Sequence, residues 1–239
     1  MKPVDRYVND VMRNVFAAPA DRERLEADLR AHFAEAEAKG EPVGRIIDGL
    51  GRPEEVAAAF NAERQIRYAG FWKRVFAFGG DCGLLLAVAL PPLSLAVFLD
   101  ARVVSPDTPS TGSTIALAAL GVAVVGILVF YFPLLEARFG KTPGKHLLRI
   151  RVVRESGAPI SLGEAFVRRL SLYFDVLMLD SLFIPFTRKR QRALDIVAQT
   201  IVAREPGEPA RWWGYAVCLL LPAGSVLALA GIVLLCAPA

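Results

Sequence analysis

Histidine and cysteine are scarce, at two and three of 239 residues. Cys82, Cys218 and Cys236 lie in apolar stretches without metal-ligand spacing. They read as small core residues, and no metal centre is expected. His32 and His146 are far apart, and no second ligand lies at helical spacing from His32. That histidine reads as a surface or half-buried side chain rather than a ligand or pH sensor. No Ser/His/Asp set and no paired general acid and base is visible, so an enzyme is not expected, and neither is a cofactor. Gly140 to Lys145 looks like a phosphate loop, but three residues separate its glycines and His146 follows the lysine. Walker spacing needs four residues there and a Ser or Thr after the lysine, which excludes that nucleotide site. No signal peptide is expected either, because Met1 to Tyr68 is charged throughout.

Charge is what the apolar stretches lack. Thr114 to Leu135 is 22 residues without one, enough to cross a hydrocarbon core of about 30 Å. Ala216 to Ala239 is also uncharged. Val75 to Leu99 spans despite Asp81, with Pro91-Pro92 expected to kink its far half. Arg138 to Arg169 holds eight Lys/Arg and Arg188 to Arg211 holds six, whereas Asp100 to Ser113 holds only Arg102. The positive-inside rule then puts the amino terminus and the basic stretches in the cytoplasm. A full crossing by Leu170 to Phe186 would export Arg188, Lys189, Arg190 and Arg192. That segment reads better as re-entrant or broken, with both ends cytoplasmic. Trp212-Trp213 marks the interface of the last span. The expected fold class is an all-α membrane protein. It has three transmembrane helices, the re-entrant third apolar segment, a small cytoplasmic β element and an amino-terminal cytoplasmic helical domain. The bacterial inner membrane is the expected location.

Charge returns inside two of these segments at one spacing. Arg74 and Asp81 open the first, and Arg168 and Asp175 open the re-entrant one. Seven residues are about two helical turns, so each pair lies on one helix face. Intramembrane charge is costly, and its default reading is functional. Gly79-Gly80 precedes Asp81 and lets another helix approach closely. Two readings stand. Asp81 and Asp175, with Asp180 and Asp195 as further candidates, could carry a cation or a proton. Alternatively Arg74 pairs with Asp175, or Arg168 with Asp81, as salt bridges that fix helix register, with Arg169 beside them. Glu136, at the end of the second span, reads as snorkelling or pairing with Arg138 and Lys141.

The first seventy residues form a soluble unit. Val4, Tyr7, Val8, Val11, Met12 and Val15 mark an amphipathic helix. Pro19 breaks it and Asp21 can cap the next, which carries Leu25, Leu29, Phe33 and Ala36 on one face and ends at Gly40. Pro42 opens a third with Val43, Ile46, Ile47 and Leu50 inward, stopped by Gly51. Arg52-Pro53-Glu54-Glu55 opens a fourth. With 11 basic and 13 acidic residues the unit has no footprint for nucleic acid. Its core is small, so self-association or docking on the basic loops would complete it. Between those loops, Leu148, Ile150 and Val152 alternate with Arg149 and Arg151, predicting a strand that pairs with Thr200-Ile201-Val202. Lys145, Arg149 and Arg151 are candidates for lipid headgroups on its basic face.

Leu25, Leu29, His32, Phe33 and Gly40, then Leu50 to Ala57 and Phe60, resemble the small helical module called the HAAS domain. Such modules often sit on bacterial membrane proteins encoded beside PadR-like regulators, which implies a signalling or regulatory role. From Gly70 onward the chain is similar to the RDD family, named for one arginine and two aspartates. The motifs are Gly70-Phe71-Trp72-Lys73-Arg74, Asp81, Gly140 to Lys145 leading into Arg149 to Val153, Ala165 to Arg169 with Asp175, and Ala193 to Thr200. The resemblance implies a membrane protein, some members being assigned monovalent cation/proton antiport. Many members have histidine before the aspartate of the last motif. Leu194 stands there in this chain, so a histidine-dependent proton step lacks its residue.

The expected domains are therefore 1–66, helical and cytoplasmic; 70–203, the RDD part; and 211–239, a final transmembrane helix. Two functions are carried forward. One is an exchanger of monovalent cations and protons, homo-oligomeric because so few spans rarely enclose a pathway. The other is a membrane anchor or adaptor whose helical domain signals to a cytoplasmic regulatory protein. The lipid bilayer is a partner in both.

Overall fold

Helix boundaries follow the sequence pattern closely at the amino terminus. In the computed structural model, which describes residues 3–64, 66–103, 111–170, 183–207 and 209–236, four helices come first. They are α1 (Pro3–Asn14), α2 (Pro19–Ala38), α3 (Val43–Leu50) and α4 (Pro53–Ala62). The apolar stripe of α1 is buried as Tyr7, Val8, Val11 and Met12, and it meets Leu29, Phe33, Ile46 and Ala57 in one core. Arg22 closes the end of α1, donating to the carbonyls of Val15 at 2.5 Å and Met12 at 2.7 Å. Asp21 does not cap α2 as expected. Pro19 occupies the first helical position, where its missing N–H costs nothing, and Ala18 is the N-cap.

Two long helices follow, α5 (Phe71–Val103) and α6 (Thr111–Phe139). Stretches Phe71–Pro91 and Gly121–Phe139 are long and apolar enough to cross a membrane. The helical assignment of α5 continues unbroken through Pro91 and Pro92. After α7 (Pro143–Leu147) come strand β1 (Ile150–Arg154) and α8 (Leu162–Val167). Then α9 (Ala193–Val197), β2 (Thr200–Arg204) and α10 (Trp212–Cys236) complete the described chain. Helix α10 is 25 residues long and carries no charged residue. Most of the predicted re-entrant segment lies outside the described residues.

The expected strand pairing is present, antiparallel, with Val152 opposite Val202. It carries a repeat of fifty residues. Five-residue α7 and α9 each lead through a residue with positive φ, Arg149 and Gln199, into a five-residue strand. Gly140 and Arg190, also with positive φ, precede the two helices at the same offset. Equivalent bonds close the ladder's ends, from Glu155 N to the Gln199 carbonyl (3.0 Å) and from Glu205 N to the Arg149 carbonyl (2.9 Å). An antiparallel pair centred on equivalent residues is locally two-fold symmetric.

The chain divides into two compact units. One comprises Met1–Phe71, Glu136–Gly140 and Arg149–Pro209, and the other Trp72–Leu135, Lys141–Leu148 and Ala210–Ala239. In the first, Phe16, Ile66 and Tyr68 pack on Val153, Ile201 and Ala203 of the sheet. Asn61 stitches this seam. Its Nδ2 donates to the carbonyls of Asn14 (3.0 Å) and Ser156 (2.7 Å), and its Oδ1 accepts from the Phe16 amide (2.9 Å). In the second unit, a Cβ on Gly80 would lie 2.7 Å from Cys218 Sγ, and one on Gly83 would strike Pro222. Absent side chains let α10 approach α5 closely, as the glycine pair suggested.

Candidate functional site

Two buried charge sites hold the candidate residues, one in each unit. In the second unit, Asp81 is 1% exposed on α5. Its carboxylate accepts from Thr142 Oγ1 at 2.5 Å, the Gly144 amide at 2.8 Å and the Tyr131 hydroxyl at 3.4 Å. Thr142 is the N-cap of α7 and its hydroxyl oxygen also accepts from the Lys145 amide at 3.4 Å. Asp81 therefore ties α5 to the start of α7, where unsatisfied amides favour an anion. Gly144 is required for this approach, since a Cβ would collide with the Ala77 carbonyl and crowd Asp81. Arg74 is also buried on α5, at 4% exposure.

In the first unit, Glu136 is fully buried at the end of α6, with Arg168 and Arg169 beside it. Arg168 donates through Nε to Asp195 at 2.9 Å and through a terminal nitrogen to Glu136 at 3.4 Å. Arg169 pairs with the other oxygen of Glu136. Asp195 also accepts from the Arg192 amide at 3.2 Å, which caps α9. Two guanidinium groups and two carboxylates thus share one interior, each charge meeting an opposite one, the arrangement that buried ions require.

Arg168, Arg169 and Asp195 are thus brought together, while Asp81 belongs to the other site. Asp175 and Asp180 lie outside the described residues, so their proposed pairing and ion roles do too. The partners found for Arg168 are Glu136 and Asp195. Glu136 departs from the expectation for it, being buried against Arg168 and Arg169 rather than snorkelling. Of the headgroup candidates, Lys145 is buried, whereas Arg149 and Arg151 are about 40% exposed beside Glu205, at 3.8 and 3.3 Å. Sequence reasoning missed Tyr131 and Thr142 as partners of Asp81. A hydroxyl-bearing N-cap directly before Pro143 was the available signal for Thr142. Among the described residues no group of His, Cys, Asp and Glu side chains is arranged to hold a metal ion.

Comparison with known proteins adds two matches. A family model described as RDD family matches residues 68–199, more than half of the chain. A second, described as HAAS, matches residues 6–59. No curated protein and no solved structure matches.

Proposed function

The chain belongs to the RDD family, and we propose that it is a membrane-held adaptor whose helical module passes the state of the membrane part to a cytoplasmic partner. One observation carries this reading. The HAAS-matching helices share a compact unit and a packed seam with the RDD sheet, joined through Asn61, Phe16 and Tyr68. A change in the sheet therefore reaches α1 and α4 directly, without crossing a flexible linker. The role is non-catalytic. The protein sits in the bacterial inner membrane with its amino terminus and sheet in the cytoplasm, where the Lys/Arg skew would hold them.

The test is a partner pull-down from the native host with the full chain and with Asn61→Ala. The variant loses the seam's hydrogen bonds, so capture of a defined cytoplasmic protein should change while membrane insertion persists. Equal capture by both chains would remove the relay. A second reading, exchange of monovalent cations and protons, is favoured by the burial of Asp81 within an apolar helix. Its measure is cation-dependent proton movement in vesicles bearing this protein alone. Against exchange, the Asp81 oxygens already accept from Thr142, Gly144 and Tyr131, which gives the carboxylate a building role.

A further inference from the structure

A cavity of about 420 Å³ opens where the start of α2 meets the end of β2, within the first compact unit. This is a size suited to a small molecule. Its basic lining is Arg64, Arg67 and Arg204, and its acidic lining is Asp21 and Glu205. Both acids are already engaged. Asp21 pairs with Arg64 at 3.2 Å, and Glu205 lies 3.3 Å from Arg151 and 3.8 Å from Arg149. Arg67 and Arg204 have no ion pair among the described residues, yet their backbones are joined by a 2.7 Å hydrogen bond from the Arg204 amide to the Arg67 carbonyl. Both side chains line the one cavity, and the planar donor fork of a guanidinium suits phosphate oxygens. Phe16 and Ile66 supply an apolar wall to the same cavity.

We propose that this cavity binds a phosphoryl group carried on a small organic body, with Arg67 and Arg204 as its two anchors. A ligand there would touch the helical module and the sheet at once and so strengthen their seam. The same phosphoryl chemistry is offered by a soluble metabolite or by a phosphomonoester lipid headgroup.

The full chain in phosphatidylcholine nanodiscs is titrated with inorganic pyrophosphate by calorimetry, against chloride at matched ionic strength. Arg67→Gln and Arg204→Gln should each weaken binding at least about tenfold, in line with loss of a charge-assisted contact. The double variant should abolish it, and Arg13→Gln, on the exposed face of α1, should leave it unchanged. A second measurement needs no variant: pyrophosphate should shield Arg67 and Arg204 of the wild type from an arginine-selective dicarbonyl reagent, read by peptide mass. Nanodiscs containing phosphatidic acid form the lipid arm. Shielding there without pyrophosphate assigns the phosphoryl group to a headgroup, and shielding by pyrophosphate alone assigns it to a soluble ligand. Absence of shielding in both arms, or pyrophosphate binding that survives in the double variant, overturns the site.

Discussion

The two buried sites anchor similar short helices by different chemistry. At α7 the carboxylate of Asp81 is met by a hydroxyl, an amide and a phenol. At α9 the carboxylates of Asp195 and Glu136 are met by Arg168 and Arg169. Hydrogen bonds from hydroxyl and amide donors to a carboxylate are worth about 1.5–3 kcal/mol each. Breaking a buried ion pair strands a charge, which is far more costly. Removing one partner should therefore cost more at the α9 site than at the α7 site.

The largest expected effect tests that contrast. Glu136→Gln removes the carboxylate charge that Arg168 and Arg169 share, and thermal unfolding in detergent should show a loss of about 3–5 kcal/mol. Adding Arg169→Met should recover much of it. If the double variant is no more stable than the single one, the cluster is not held by pairing. Next is Asp81→Asn, which keeps the shape but turns one acceptor into a donor facing Thr142 or Gly144. A loss of about 1–3 kcal/mol is expected, and a loss equal to that of Glu136→Gln would erase the distinction between the sites. Proton flux measured on the same variant separates the two functional readings.

A smaller effect tests the symmetry of the repeat. Arg149 and Gln199 both hold positive φ, at 53° and 51°. A residue with a side chain pays about 1–2 kcal/mol there, so Gln199→Gly should raise stability by about 1 kcal/mol. Arg149→Gly should gain less, because it also loses its contact with Glu205. Equal gains would mean that contact contributes nothing. The smallest effect is in pH. The hydrogen bond from Lys189 holds the Glu155 carboxyl below its ordinary 4.5, against the opposing effect of burial. A depressed folded-state value gives stability present above the ordinary value and lost as pH falls through the folded one. Glu155→Gln should therefore lower stability slightly at neutral pH, leave the acid end unchanged, and so flatten the limb below pH 4.5.

Much of this was written in local pattern. The apolar stripe of α1, the stops at Gly40 and Gly51, and the alternation of Ile150 and Val152 with Arg149 and Arg151 need only near neighbours to be read. Burial of Asp81 followed from a charge in an apolar run, and close helix approach from Gly79-Gly80. Pairing was less legible, because partners far apart in sequence share no period. Glu136 lies in a different helix from Arg168 and Arg169, and equal Arg–Asp spacing drew attention to the aspartates instead. Docking of the helical module on the basic stretches was one of two options its small core left open, self-association being the other. That Asn61 would meet Ser156 was not legible, since no rule of spacing links a helix end to a turn beyond two intervening long helices.

The seam has a consequence for synthesis. Phe16 leaves the ribosome long before Val153, Ile201 and Ala203, which complete its contact surface. Helices α1 to α4 already own a core, with Val8, Val11 and Phe33 buried among themselves, so they can condense early as a free body. Their sheet cannot exist until β2 has emerged, after the whole of α5 and α6. During that interval Phe16, Ile66 and Tyr68 lack the surface that covers them, and closing so long a loop is slow. A nascent chain stalled before Thr200 therefore presents a folded module with its adhesive face open, a natural client for a chaperone.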